Sequence, residues 1–292
     1  TGLSTQCAGA TFNITNNLTG CSFFPGNTFT VQLSDASGSF ASPVSISAAV
    51  SATTGGAISV TLPLTLPTSA AYRIQVVGTN PSITSTQSAA FTINGFGLNA
   101  PTITGGSTSF CQGQNISIAF TLANNCGFPN TPSANIFRAQ LSDAAGSFAS
   151  PTVIGTVTAN TAGTISANIG NPPAGTGYRI RVVSSNPGAG IASPDNGTNL
   201  VIGATTGNPS VFGSAGWNAY VYNSTTLAGF TNYAGFYTVA GLSFDTGTQY
   251  GSSSSPAGAP GYSGCSVVGA TQYGIAFKRT NFTCGYYQID VP

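Results

Sequence analysis

Apolar residues recur at every second position along much of the chain. Ile116, Ile118, Phe120 and Leu122 alternate with small residues, as do Phe29, Val31 and Leu33, and again Phe137, Ala139 and Leu141. Tyr72, Ile74 and Val76 share one face of a run whose other face carries Arg73 and Gln75. A period of two is that of a strand with one face buried, because successive side chains point to opposite sides of the backbone. No segment shows a convincing helical period. Clusters of Gly, Pro, Asn and Ser interrupt the runs at intervals typical of an antiparallel sandwich. The chain is predicted to be all-β.

The pattern is duplicated. Leu33 to Pro43 (LSDASGSFASP) returns with one change as Leu141 to Pro151, an offset of 108 residues. That is too long for a solenoid repeat and suits a whole β-domain. Tyr72 to Val77 (YRIQVV) answers to Tyr178 to Val183 (YRIRVV). Pro67 precedes the first tyrosine and Pro172-Pro173 the second, as in the tyrosine corner of immunoglobulin-like sandwiches, where the phenol bonds back to the preceding backbone. Asn80-Pro81 and Asn186-Pro187 mark the following loop. The expected organisation is two immunoglobulin-like or fibronectin-like sandwiches at 1–100 and 101–203. A different, aromatic-rich β-domain follows at 204–292, in which Ser252 to Pro260 reads as a loop.

Charge changes the picture most. Of 292 residues only 4% are charged: six Lys plus Arg, five Asp, no Glu and no His. Six scattered cations make no basic surface for nucleic acid. Solubility must come from hydroxyl and amide side chains, and a net charge of +1 offers little protection against self-association. No run of apolar residues is long enough to span a membrane as a helix.

Six cysteines fall in three local pairs, Cys7 with Cys21, Cys111 with Cys126 and Cys265 with Cys284. One pair per domain reads as one disulfide per domain, formed in an oxidising compartment. Zinc is the competing reading, but the spacings are not those of metal ligands and histidine is absent. Each local disulfide would close a short loop and contribute about 3 kcal/mol. With no targeting signal at Thr1, the expectation is a mature exported chain.

Candidate chemistry is sparse. Without histidine a Ser-His triad is excluded, and paired-carboxylate hydrolysis has only Asp245 and Asp290 within one domain. Asp35 and Asp143, each in a Ser-Asp-Ala-X-Gly-Ser-Phe loop, read as turn residues in preference to calcium ligands, since each loop supplies one carboxylate. Asp35 with Arg73, and Asp143 with Arg179, are candidate ion pairs. Lys278 reads as a solvated strand-end residue in preference to an isopeptide donor. Asn13, Asn17, Asn115, Asn196, Asn223 and Asn281 begin Asn-X-Ser/Thr sequons, candidate glycosylation sites in a suitable host. Trp217, Tyr220, Tyr222 and Tyr286 are candidate glycan-stacking or interface aromatics, with core packing the plainer account of most. No cofactor and no metal is expected.

Three motifs in the second repeat carry a family resemblance: Cys111-Gln-Gly113, Asn135 to Phe148, and Gly177 to Pro187. They resemble the immunoglobulin-like repeats of very long cell-surface and secreted proteins of Bacteroidota. The first repeat departs with Ala71 before its tyrosine and Gln75 for the second arginine. The third domain resembles another module of those proteins, through Trp217-Asn-Ala-Tyr220, Asn232 to Tyr237 and Phe277 to Tyr286. The resemblance implies export by the type IX route and a role in adhesins or extracellular filaments, and it carries over no catalytic residue. The chain is short for such proteins, and Val291-Pro292 stands where related modules continue with acidic residues. The expectation is therefore a non-enzymatic structural subunit of a bacterial surface fibre, self-associating through neutral faces or β-edges. The alternative is a single-molecule surface adhesin or carbohydrate-binding stalk.

Overall fold

The runs at Phe29, Ile116 and Phe137 each become a strand with its apolar positions turned inward. The computed structural model describes residues 3–20, 22–130, 133–188, 190–223, 230, 232–242, 255–265 and 273–282. Ile116, Ile118 and Phe120 are buried along Asn115–Phe120, and Phe29, Val31 and Leu33 along Thr28–Leu33.

The first 100 residues form a sandwich. Gln6–Cys7 runs parallel to Phe91–Asn94, which pairs antiparallel with Ser69–Tyr72. Thr11–Asn16 pairs with Gly56–Thr61, and Thr28–Leu33 lies between Val44–Ser45 and Ile74–Thr79. The second repeat copies this arrangement. Ser109–Cys111 runs parallel to Leu200–Gly203, which pairs with Gly175–Tyr178. The facing sheet has six strands, with Asn115–Phe120, Gly163–Asn168, Thr152–Thr158 and Ile136–Leu141 at its centre. It is continuous because Gly155 meets Ala167 so closely that a Cβ there would sit 2.5 Å from the Ser166 carbonyl oxygen.

The Tyr-Arg-Ile run, read from sequence as one strand, is two. Ser69–Tyr72 belongs to one sheet and Ile74–Thr79 to the other, and the second repeat breaks the same way at Arg179. Serine manages the switch: the Ser34 hydroxyl accepts from the Arg73 N–H at 2.9 Å and donates to the Asp35 carbonyl at 2.8 Å. Ser142 does this for Arg179 and Asp143. Just upstream, the Tyr72 hydroxyl donates to the Pro67 carbonyl at 3.0 Å and Tyr178 to Pro173 at 2.6 Å, so both tyrosine corners are present. Replacing Tyr178 by Phe keeps the packing and removes one hydrogen bond. A loss of about 1 kcal/mol in urea unfolding is expected, and a Phe variant as stable as the parent would show that the corner contributes nothing.

Among its described residues the third unit forms a four-stranded antiparallel sheet in the order Ser263–Gly264, Tyr233–Val239, Trp217–Tyr222, Gly274–Lys278. Pro256–Gly258, within the stretch expected to be loop, makes one 3-10 turn capped by Ser255. Among the described residues hydrophobic clusters form around Val31 and Ile93, around Ile118 and Phe137, and around Ala219 and Tyr237.

Candidate functional site: two stapled junctions

Strand geometry decides the cysteines. Between Cys7 and Cys21 lies the strand Thr11–Asn16, which at about 3.3 Å per residue carries the chain across the sandwich. Cys111 and Cys126 are separated likewise by Asn115–Phe120. In the second repeat Cys111 therefore sits at the end where the next unit attaches and Cys126 at the opposite end, and Cys7 holds the place of Cys111 in the first repeat. The disulfides join Cys7 to Cys126 and Cys111 to Cys265, with Cα atoms 5.6 and 5.7 Å apart. This overturns the expected Cys7–Cys21 and Cys111–Cys126 pairs: the bonds lie between units. Cys21 and Cys284 fall outside the described residues, so the expected Cys265–Cys284 pair is replaced from its Cys265 side.

At the first junction, residues 95–99 run antiparallel to the segment just beyond Asn115–Phe120, with an isolated bridge at Leu98 and Leu122. The Asn99 N–H donates to the Thr121 carbonyl at 3.0 Å and the Ala123 N–H to Gly97 at 2.9 Å. Leu98 faces Leu122, and the Phe96 ring lies 5.3 Å from Phe128. The Asn124 amide donates to the Gly95 carbonyl at 2.6 Å while its oxygen accepts from the Cys126 N–H.

At the second junction, Cys111 itself enters the third unit's apolar cluster with Val221, Ala234 and Cys265. Gly203 lies against the disulfide, where a Cβ would stand 2.9 Å from the Cys265 sulfur. The Gln112 side chain accepts from the Thr205 N–H at 2.9 Å and donates to Pro172, and the Asn115 N–H donates to Asn232 at 3.0 Å. Tyr233 bonds the linker carbonyl of Thr206 at 2.6 Å.

Phenol burial makes this end sensitive to alkali. Desolvation pushes the Tyr262 hydroxyl, which donates to the Cys265 carbonyl, up to about 12. Tyr233 is raised too, first by burial and then by its tyrosine neighbours. An unfolded tyrosine ionises near about 10. The stability held by these protonated phenols is therefore complete below about pH 10 and is lost as pH climbs toward about 12. Phenolate absorbance with near-ultraviolet circular dichroism should show loosening in that window. Ionisation of every tyrosine near the ordinary value, with the fold intact, would contradict it.

The charged residues separate. The Asp35 carboxylate accepts from the N–H groups of Ser37 and Ser39 and from the Ser37 hydroxyl, and these bonds hold it below the usual carboxylate value. Asp143 accepts from the N–H groups of Ala145 and Ser147. Gly38 and Gly146 take positive φ in these turns, at 89° and 85°. Neither expected ion pair forms: Arg73 donates to the Ser88 carbonyl, and Arg179 pairs with Asp195 at 3.1 Å. A carboxylate occupied by its own turn amides does not reach for the arginine.

Sequence reasoning missed Asn27 and Asn135, both buried. The Asn135 oxygen accepts from the N–H groups of Ser185 and Asn186 while its amide donates to the Ala159 carbonyl. Asn27 makes the same clip to Thr79, Asn80 and Ala52. The signal was an asparagine just before the first strand of each duplicated motif.

Among the aromatics, Tyr220 and Tyr222 are buried and correct the stacking-platform expectation, while Trp217 is half-buried against Phe282 at 5.6 Å. Tyr286, Asp245 and Asp290 lie outside the described residues. Lys278 donates to the Pro209 carbonyl at 2.7 Å with Phe212 beneath it. Asn13, Asn17, Asn115 and Asn281 are exposed. The Asn196 amide is half-buried and bonded on both sides, to Ile180 and Thr198, and Asn223 turns toward the Cys111 sulfur at 3.5 Å. Among the described residues no helix is long and apolar enough to cross a membrane.

No family model matches the chain, and no curated protein matches it. Among solved structures, a biofilm-associated protein BSP domain is similar over 59% of this chain at 20% identity and a TM-score of 0.20. The chain spans 24% of that protein's length. The FN1–FN3 domains of chicken CNTN1 match over 73% of this chain and 75% of their own at 11% identity, TM-score 0.23. The D1–D4 ectodomain fragment of ICAM-5 matches over 82% and 66% at 13% identity, TM-score 0.27. The assignment to tandem immunoglobulin-like sandwiches rests on the strand order, with each repeat's first strand parallel to its last.

Proposed function

We propose that the chain is a non-enzymatic structural protein of the bacterial exterior, exported by the type IX route of Bacteroidota, and a subunit of a surface fibre. Its three domains, 1–100, 101–203 and 204–292, are the rigid segments. One observation carries this reading: each disulfide fastens one unit to the next, so the bonds stiffen the line of domains instead of stapling each core. A body meant to transmit tension or hold a fixed spacing needs that placement; a hinged binding module does not. The neutral exterior supports the same reading, because copies approach without charge repulsion. Negative-stain images of purified protein at rising concentration test it. Ordered polymers are expected, and isolated particles at every concentration would defeat it.

The partly exposed Trp217–Phe282 pair favours a second reading, a surface adhesin that stacks on glycans. Glycan-array binding that disappears in Trp217→Ala would promote it over the first.

A further inference from the structure

Two arginines share the outer face of the second sandwich with no acidic partner among the described residues. Across the strands Ile136–Leu141 and Ile180–Val183, Arg138 lies opposite Val183 and Arg181 opposite Gln140. That register makes the arginines diagonal neighbours on one face, roughly 7 Å apart where their side chains begin. Both are half-buried, and both lie well inside the second repeat, away from either end of the sequence.

Residues 101–203 hold three arginines and two aspartates. Arg179 takes Asp195 at 3.1 Å, and the Asp143 carboxylate accepts from its own turn amides. Arg138 and Arg181 remain as two neighbouring like charges, which repel until an anion lies between them.

The first repeat shows that the fold does not require them. Its register is the same, yet Thr30 holds the place of Arg138 and Gln75 that of Arg181. Gln75 donates to Gln32 at 2.8 Å, and the Arg181 Nε donates to Gln140 at the same distance. The cross-strand contact is kept, and what the second repeat adds is charge. The Phe148 ring lies against Arg181, with its centre 4.4 Å from the guanidinium carbon. Held at Nε and on one flat side, Arg181 keeps the N–H groups of its two terminal nitrogens unbonded among the described residues. Those groups form a fork that matches a carboxylate.

Beside the arginines this face carries hydroxyls and amides. Thr156 stands opposite Arg138, and Ser166 and Asn168 are exposed on Gly163–Asn168. A sheet face is open, whereas sites for small molecules are concave, so an extended chain suits it better. Two cations are too few for nucleic acid. A uronate polymer brings a carboxylate and several hydroxyls on every unit, the combination this face is equipped to meet.

We propose that the outer face of the second sandwich binds a carboxylated polysaccharide. Arg138 and Arg181 take carboxylates, and Thr156, Ser166 and Asn168 bond the sugar hydroxyls between them. Binding of this kind goes beyond the fibre reading and needs no polymer of the protein.

Isothermal titration of the full-length monomer with polygalacturonate at low salt tests it. The comparison is the double variant Arg138→Thr, Arg181→Gln, which restores the residues of the first repeat and should fold as the parent does by circular dichroism. Affinity should fall roughly tenfold in the double variant. The methyl-esterified polymer, which keeps the hydroxyls and loses the charge, should not bind. Polyglutamate, with carboxylates and no sugar, should bind several-fold more weakly than polygalacturonate. Equal affinity in parent and double variant, or equal binding of the methyl ester, would overturn the proposal. Polyglutamate binding as tightly as the polysaccharide would overturn the sugar assignment. Fibres, if the fibre reading holds, should assemble from the double variant as from the parent. Their absence from both proteins would defeat that reading alone.

Discussion

Replacing Cys7 and Cys126 together by serine should lower stability by about 5 kcal/mol in guanidinium unfolding, because the bond closes a loop of 119 residues. A bond between Cys7 and Cys21 would be worth only about 3 kcal/mol by the same loop-entropy argument. The partner test is sharper still. Cys21→Ser should leave the first junction unchanged, whereas Cys126→Ser alone should cost nearly as much as the double replacement. The loss has a local signature too. Without the bond, the linker at 95–99 is held by its strand hydrogen bonds, the Leu98–Leu122 contact and the Asn124 clip. Limited proteolysis should then begin at the linker. Cleavage elsewhere first, with stability unaltered, would show that the bond does not hold the junction.

Asn135→Ala is the second large effect. The side chain is fully buried and its removal orphans the N–H groups of Ser185 and Asn186 and the Ala159 carbonyl. At about 1–3 kcal/mol for each buried group left unpaired, a loss of about 3 kcal/mol or more is expected. Asn135→Asp keeps the two acceptor bonds but sets a carboxylate oxygen against the Ala159 carbonyl in place of the donor, so it too should fall below the parent. Equal urea midpoints for Asn135→Ala and the parent would mean that water or backbone shifts satisfy these groups.

Much of the fold was legible because burial has a period. Phe29, Val31 and Leu33 announce a strand with one face in the core, and the duplicated Tyr-Arg-Ile motif announces two copies of one sandwich. Proline before Tyr72 and Tyr178 was enough to place both corners. The cysteines were misread because nearness in sequence stood in for nearness in space. One full strand between Cys111 and Cys126 carries them to opposite ends, a deduction available from the alternation alone. The Asp–Arg pairs failed for a different reason: a turn's own amides satisfy Asp35 and Asp143 locally, before any long side chain must be ordered. Arg179 finds Asp195, whereas the first repeat has Gln87 at the matching place and Arg73 turns to a carbonyl. Tyr220 and Tyr222 follow the plainer of the two accounts, core packing, because both faces of Trp217–Tyr222 are covered.

Digestion of the unreduced protein with pepsin, followed by mass spectrometry of the linked peptides, tests the stapled junctions most directly. The expected links are Cys7 with Cys126 and Cys111 with Cys265. Peptides joining Cys7 to Cys21 and Cys111 to Cys126 would contradict them and return each bond to the interior of its own domain.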